Sequence, residues 1–274
     1  MKIRSKLSIL GLFSFLALIT MGQAIYAVEV IGELTRIISI VPGGEHEGKI
    51  VIKNNSDLPE DIRITQSDYM FSAEGGGVFG KPGSESRSNA LWIAVTPDHV
   101  TLSPQEKTSI AFRIKVPSKN TLKGTYWSLI NVDPIPEGTL EPFRKETTDQ
   151  LRIGLHTVIG YGVQIITNVG DISGGSLQFS NPELILKDPD YIFMLNVGCT
   201  GDSMLIPDTW MDLYDSKGGH VKKVTGGAFF VYPGCSRTLK LPLGKLEKGL
   251  YKALLIADCG NDQVFGGQYE LEIR

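Results

Sequence analysis

A long run of alternating apolar and polar residues lies in the middle of the chain, in the sequence DQLRIGLHTVIGYGVQII at 149–166. From 151 to 165 the odd-numbered positions are apolar apart from one threonine, and the even-numbered positions are mostly small or polar. Side chains of a β-strand point alternately to opposite faces, so the pattern predicts one strand over 150–166 with a single apolar face. Most strands have about five or six residues, and this one is predicted to be about three times longer.

Shorter alternating segments fill the rest of the chain after residue 27, and many glycines and prolines separate them. Seven short strands in about 110 residues, with turn signals between them, are typical of an immunoglobulin-like sandwich. We therefore predict an all-β fold with two tandem immunoglobulin-like β-sandwich domains, at 28–167 and 168–274. The predicted strands are 28–41, 47–54, 60–70, 91–102, 106–116, 124–133 and 150–167, then 176–186, 191–198, 205–215, 222–232, 236–242, 250–258 and 264–273.

An internal repeat supports two domains of one design. The sequence KGTYWSLI begins at Lys123, and the similar KGLYKALLI begins at Lys248. In each copy a tyrosine, Tyr126 or Tyr251, follows the glycine at the start of the sixth strand. This placement predicts a tyrosine corner, in which the phenol bonds back to the preceding loop. The long strand would then end the first domain and lead directly into the second.

The first 27 residues predict a cleavable secretory signal peptide. Lys2, Arg4 and Lys6 precede an apolar segment at 7–21, and small residues follow it up to Ala27. The apolar segment is shorter than the roughly 20 residues that a membrane-spanning helix needs, which favours cleavage over an uncleaved anchor. We therefore expect an exported protein with no stable membrane insertion. The net charge of −3 gives no electrostatic case for a nucleic-acid partner.

The segment NALWIAVTPDHVTLSPQEKTSIAFRIKVPSKNTLKGTYWSLINVDPIP, followed by a polar loop and the long strand, resembles the PapD-like periplasmic chaperones that assemble pili and fimbriae. The resemblance covers nearly all of the chain after the signal peptide and is strongest over 30–166. In that family the final strand of the first domain lends alternating apolar residues to an incomplete subunit. The resemblance therefore implies periplasmic localisation, pilin-like secreted subunits as partners and an outer-membrane usher as a further candidate partner. The residues implied to contact the partner from this strand are Leu151, Ile153, Leu155 and Ile159.

The chain departs from the family at the subunit-anchoring pair. In the family an arginine of the first strand and a lysine of the long strand hold the C-terminal carboxylate of the subunit, a task suited to charge-assisted hydrogen bonds. LTRIISI places Arg36 at the arginine position, but the lysine position falls on Gly160. One interpretation is that Arg36 and other contacts hold the client without a lysine. The other is that the chain is a divergent member of the family with another partner.

No pattern in the sequence indicates catalysis, a metal site or a cofactor. GGGVFG at 75–80 fits a dinucleotide-binding pattern, but charged and serine-rich sequence follows it where a helix is needed, so we interpret it as a loop. The four histidines are scattered, and no serine lies in a G-x-S-x-G motif. We expect a non-enzymatic chaperone that binds by strand donation. The alternative is a tandem immunoglobulin-like structural or cell-surface protein used in adhesion or scaffolding.

The three cysteines all belong to the second domain. In an immunoglobulin-like sandwich, Cys199, Cys235 and Cys259 would lie at the same end, and export makes a disulfide chemically possible. We predict one bridge from Cys199, to Cys235 on the adjacent strand rather than to Cys259, with one thiol left over. The alternative is three buried reduced thiols.

Overall fold

The computed structural model describes residues 28–135, 159–260 and 262–274, and this part of the chain consists almost entirely of β-strands. Two of the predicted features, the signal peptide and the first half of the long strand, lie outside these residues. No helix among the described residues is long and apolar enough to cross a membrane. The strands before residue 170 are β1 (Val28–Ile31), β2 (Thr35–Ile40), β3 (Glu45–Asn54), β4 (Glu60–Ser72), β5 (Gly76–Gly80), β6 (Ile93–Thr96), β7 (His99–Leu102), β8 (Lys107–Lys115), β9 (Gly124–Pro134) and β10 (Tyr161–Val169).

These ten strands form a sandwich of two sheets. One sheet has the order β1-β3-β8-β6, and the other has the order β2-β10-β9-β4-β5 with β7 paired to β4. The strands pair antiparallel except β2, which runs parallel to β10. The alternate residues that face inward from both sheets form the core, because burying them removes apolar surface from water. This core includes Ile50, Ile52, Ile62, Ile110, Ile114, Ile130, Val163 and Ile165, all fully buried.

The later strands form a second sandwich with its own core. Its strands are β11 (Leu177–Lys187), β12 (Asp190–Cys199), β13 (Asp208–Asp215), β14 (His220–Ala228), β15 (Ser236–Gly244), β16 (Gly249–Asp258) and β17 (Val264–Ile273). One sheet has the order β11-β12-β15 and the other β14-β13-β16-β17. The predicted all-β fold with two tandem immunoglobulin-like β-sandwich domains is therefore confirmed.

Three local predictions were wrong. The strand expected at 28–41 is divided at Gly32, whose φ of 101° turns the chain so that β1 and β2 join different sheets. The strand expected at 91–102 is divided into β6 and β7, which also pair with different sheets. The segment interpreted as a loop at 75–80 contains β5, in which Val78 and Phe79 pair with β4 in an antiparallel hairpin.

The repeated tyrosines differ between the two domains. The Tyr251 hydroxyl donates a hydrogen bond to the backbone oxygen of Glu247 at 2.9 Å, which is the tyrosine corner that the repeat predicts. The ring of Tyr126 instead packs against Trp92, with 4.6 Å between ring centroids, and lies under the guanidinium of Arg87. Sequence similarity between the copies therefore marks the same strand start but not the same side-chain contacts.

The two domains meet through a compact aromatic cluster. Trp127 and Phe71 of the first domain pack on Tyr232 of the second, and Ile166 and Cys235 complete the buried group. The rings of Trp127 and Tyr232 stack with centroids 4.8 Å apart and planes 21° from parallel. We call this group, Phe71, Trp127, Ile166, Tyr232 and Cys235, the junction cluster.

The backbones of the two domains also meet, next to the junction cluster. The amide of Thr125 donates to the backbone oxygen of Asp202 at 2.8 Å. Gly124 has a φ of 85°, and a β-carbon on it would lie 2.0 Å from that same oxygen. Only glycine fits this approach, because an added side chain would clash and the backbone conformation disfavours one.

Candidate functional site

The N-terminal part of β10 has a strand neighbour on one side only. β9 pairs with the whole strand, from Tyr161 to Val169, whereas β2 pairs with it only from Gln164 onward. The first bond on the β2 side is donated by the Gln164 amide to the Leu34 oxygen at 2.7 Å. Leu34 still lies opposite Val163 in this register, and at Gly162, which is exposed, no described strand lies on that side of β10. An exposed strand edge of this kind can pair with a strand of another chain.

The two faces of β10 have separate environments. Val163 and Ile165 point into the core of the first domain, whereas Ile166 points outward and is buried in the junction cluster. Ile159, just before the strand, is 41% exposed. Of the residues predicted to contact a partner from this strand, Ile159 alone is described, and Leu151, Ile153 and Leu155 lie outside the described residues. Of the strand predicted at 150–166, the structure therefore describes only the part from Ile159 onward.

The outward face of the sheet beside this edge is polar, and it carries the charged Asp133 and Arg63 next to a group of neutral side chains. The Asn131 amide group donates to the hydroxyls of Ser67 at 3.0 Å and Thr65 at 3.3 Å. On β10 the side-chain oxygen of Gln164 accepts from the Thr35 hydroxyl at 3.4 Å. We call Thr65, Ser67, Asn131 and Gln164 the polar floor. Their half-buried amides and hydroxyls can both donate and accept hydrogen bonds.

Sequence reasoning did not single out the polar floor, although a signal for it exists. Its β4 and β9 members occupy the positions that alternate with buried Ile64, Ile130 and Val132, so their side chains face away from the core. Alternation identifies such a face but does not show whether water, another domain or a partner covers it. The structure shows that the second domain covers part of this face, at Trp127 and Ile166 in the junction cluster.

The structure does not bring Arg36 and Gly160 together. In the parallel register Arg36 lies opposite Ile165, five residues from Gly160 along β10, which corresponds to roughly 16 Å at about 3.3 Å per residue. The Arg36 side chain lies near the Phe112 ring, with 6.0 Å from the guanidinium carbon to the ring centroid. Its buried Nε atom has no hydrogen-bond partner among the described residues. Such an atom is costly to leave unsatisfied, so an acceptor supplied at this end of the sandwich would be stabilised.

A carboxylate, and not a cation, lies at Gly160. A β-carbon on Gly160 would be 2.4 Å from Asp133 Oδ1, so the Asp133 side chain occupies the space beside the glycine. Burial raises the pKa of the Asp133 carboxyl, although the positive charge of Arg63 and a hydrogen bond from Thr65 oppose the increase. The site therefore lacks a cation where the resemblance to the chaperone family expects a lysine.

Comparisons with known proteins return matches among solved structures alone. No family model and no curated protein matches the chain. A chain from a chaperone–tip adhesin complex of CFA/I fimbriae biogenesis is 13% identical, and the match covers 88% of this chain and 97% of that one, with a TM-score of 0.48. The E. coli chaperone DraB is 13% identical over 91% of this chain and 97% of its own, with a TM-score of 0.42. A chain from the complex of Salmonella enterica SafA pilin with the SafB chaperone is 11% identical over 91% and 98%, with a TM-score of 0.42. The chain is similar to fimbrial chaperones.

The predicted disulfide is absent from the structure, in which all three cysteines are free thiols. The backbones of Cys199 and Cys235 are adjacent, since the Cys199 amide donates to the Cys235 oxygen at 3.0 Å. The sulfur of Cys199 donates to the Ser203 backbone oxygen at 3.3 Å, whereas that of Cys235 lies 3.9 Å from the Met70 sulfur in the first domain. The two side chains thus have different partners, a difference that strand adjacency in the sequence does not reveal.

The remaining chemistry of the described residues gives no sign of a metal centre. No group of three or more histidine, cysteine, aspartate or glutamate side chains in the described ranges comes together to hold an ion. Among the described residues one carboxylate is fully buried, that of Asp68, and it accepts hydrogen bonds from the backbone amides of Gly83 and Glu85 at 3.1 and 2.8 Å. The Asp68 side chain therefore fixes the loop that follows β5.

Proposed function

We propose that this protein is an exported, periplasmic chaperone that binds pilin-like secreted subunits by lending them the strand at 150–166. The observation that carries the proposal is the open edge of β10 at Gly162, where β9 pairs on one side and β2 has not yet begun on the other. The apolar alternation of the sequence continues from this edge toward residue 151. A client strand added there extends the existing sheet.

Strand addition divides the binding work between backbone and side chains. Backbone hydrogen bonds along the edge supply affinity, and alternate side chains supply specificity. On this proposal Leu151, Ile153 and Leu155, together with the exposed Ile159, enter the unfinished core of the client. Covering that core and its strand edge prevents the client from pairing with other copies of itself.

On this proposal two groups flank the bound client, the buried Nε atom of Arg36 on the core side of the sheet and the polar floor on its outward side. An acceptor from the client satisfies this nitrogen, and the amides and hydroxyls of the floor hydrogen-bond to the client backbone. The carboxylate of Asp133 beside Gly160 disfavours an anion at that second position. The client is therefore held by Arg36 and neutral donors rather than by an arginine–lysine pair. An outer-membrane usher is the candidate that receives the client.

Export is part of the same proposal. The segment at 1–27 has the charged start, apolar centre and small final residues of a signal peptide. The mature protein then begins at Ile25 or Val28, which sequencing of the N-terminus of the native protein measures. Recovery of an intact Met1 in a membrane-bound form would contradict both the localisation and the proposed chaperone.

Replacing Leu155 by Glu tests donation directly. If the side chain enters the client, the charge abolishes copurification of secreted subunits from the native periplasm and leaves the melting temperature unchanged. If Leu155 belongs to the core of its own domain, the same change buries a charge and lowers the melting temperature of the first domain sharply. The matched control is Leu186→Glu, at an exposed position in β11 of the second domain, which should alter neither property.

The structural or cell-surface alternative is not favoured. An adhesion module does not need an unpaired edge that leads into an apolar alternating segment, whereas a strand donor does. Capture of subunits by the unchanged protein, together with loss of capture in Leu155→Glu, would exclude the alternative. Normal capture by the variant would contradict the proposed function.

A further inference from the structure

A second open edge of the first domain lies far along the same sheet from β10, at β5. This strand, Gly76–Gly80, pairs with β4 on one side, and no described strand lies on its other side. Its sequence is GGVFG, without a charged residue or proline. Val78 and Phe79 are 63% and 66% exposed. An apolar, uncharged edge of this kind is a template for another strand.

Three other edge strands of the described structure carry features that discourage such pairing. β14 has Lys222 and Lys223, β17 has Glu270 and Glu272, and β11 is interrupted at Pro182. A lysine or glutamate on an edge disfavours an incoming strand because its charge would lose contact with water, and proline lacks a backbone donor. The absence of any such residue within β5 therefore separates it from these edges.

The sequence of β5 is complementary to itself in the antiparallel direction. When two copies are aligned about Val78, Gly76 lies opposite Gly80, and Phe79 lies opposite Gly77. Each large ring then faces a residue without a side chain, so the two rings occupy opposite halves of the strand pair without overlap.

The exposed ring of Phe79 is the end of an aromatic row that starts at the domain junction. Phe79 stacks on Tyr69 with 5.4 Å between centroids, Tyr69 meets Phe71 at 5.6 Å, and Phe71 meets Tyr232 at 5.5 Å. In a symmetric strand pair, equivalent residues of both copies lie on the same face of the joined sheet. The two Phe79 rings are then diagonal neighbours, roughly 7–8 Å apart and within reach of each other.

We propose that β5 is a self-association surface through which a second copy of this chain pairs, β5 to β5, to form a two-fold symmetric dimer with one continuous sheet. The interface is isologous, so the same residues contribute from both copies. A stable interface buries about 1,200–2,000 Å² in total, and one five-residue strand pair with two exposed apolar side chains provides less. The dimer is therefore concentration-dependent, and it leaves the open edge of β10 accessible.

Sedimentation equilibrium of the full chain measures this association, and Val78→Lys is the first variant. A lysine at the symmetry axis places two like charges opposite each other, so the dimer dissociation constant should rise at least about tenfold. Folding should be retained because Val78 is exposed. The control is Val264→Lys, an exposed valine at the start of edge strand β17, which should leave the dissociation constant unchanged.

Opposite charges at the symmetry axis distinguish a second copy of this chain from any other partner strand. Val78→Glu should weaken the dimer as Val78→Lys does, and an equimolar mixture of the two variants should associate, because a glutamate then lies opposite a lysine. A wild-type chain that stays monomeric up to roughly 1 mM, the weak end of measurable affinity, would overturn the proposal. So would a dimer that is insensitive to Val78→Lys or a mixture of the two variants that stays monomeric. A monomer that loses a different binding partner on Val78→Lys would also overturn self-association.

Discussion

The coupling between the two domains depends on Tyr232, and its replacement by alanine should separate their unfolding. The Tyr232 side chain is 1% exposed, stacks on Trp127 and meets the edge of Phe71. A buried aromatic side chain covers roughly 150–250 Å², which corresponds to roughly 4–6 kcal/mol at about 25 cal/mol per Å². Truncation of a buried aromatic residue to alanine costs about 3–5 kcal/mol in measured series. We therefore expect Tyr232→Ala to remove about 4 kcal/mol of stabilisation.

Differential scanning calorimetry measures this effect. The wild type should unfold in one transition because the junction cluster joins the two cores, and Tyr232→Ala should unfold in two. Tyr232→Phe keeps the stacked ring and loses only the hydroxyl, so it should remain close to the wild type. Tyr214→Ala, at a half-buried ring that packs against His220 away from the junction, controls for the loss of a tyrosine in general. A single, unshifted transition in Tyr232→Ala would refute the reasoning.

Further predictions concern Gly124, Asp133 and the cysteines. Gly124→Ala places a β-carbon 2.0 Å from the Asp202 oxygen and should lower the melting temperature. Gly249→Ala, the equivalent change in the second copy of the repeat, should lower it less, because the nearest atom to that β-carbon is 4.0 Å away. Burial raises the pKa of Asp133 because it penalises the ionised carboxyl in the folded state. The free energy of unfolding of the wild type, relative to that of Asp133→Asn, should therefore increase as the pH falls through the raised pKa toward 3.8. Urea unfolding at several pH values measures this difference. Thiol titration of the denatured, unreduced protein should count three cysteines, whereas a count of one would indicate a disulfide. In the native state Cys259 should react slowly at pH 8, since burial raises its pKa to about 11.

Alternation along the sequence is sufficient to predict strands and their inward faces. β8 shows why, because Ile110, Phe112 and Ile114 are buried and the residues between them are exposed. The same rule is insufficient where a second surface covers the outward face. Ile166 and Trp127 both lie on the side of their sheet that faces away from its core, and the second domain buries them. Period-two patterning reports only the side of a residue and not what lies against that side.

Strand edges are the other feature that the sequence did not determine. The alternation around β10 predicts a long strand, but it does not show that β2 pairs with β10 only from Gln164 onward. That limit depends on the turn at Gly32 between β1 and β2. The sequence at 75–80 is interpreted as a loop because charged and serine-rich residues follow it, and its glycines give only a weak strand signal. Both edges depend on which strands become neighbours, and contacts distant in the sequence set that order.

β10 links the proposed client site to the domain junction, and this arrangement suggests that the two are energetically coupled. Val163 anchors the strand in the core beside the open edge, and Ile166, three residues later, is packed in the junction cluster with Tyr232. A donor strand held in one register loses less conformational entropy on binding than a mobile one, so its affinity is higher.

Loosening the junction by Tyr232→Ala should therefore weaken client capture as well as separate the unfolding of the domains, although Tyr232 is not among the residues proposed to enter the client. Copurification of secreted subunits with the variant and with Tyr232→Phe measures this coupling. Equal capture by both variants would show that the register of β10 is set by β9 alone.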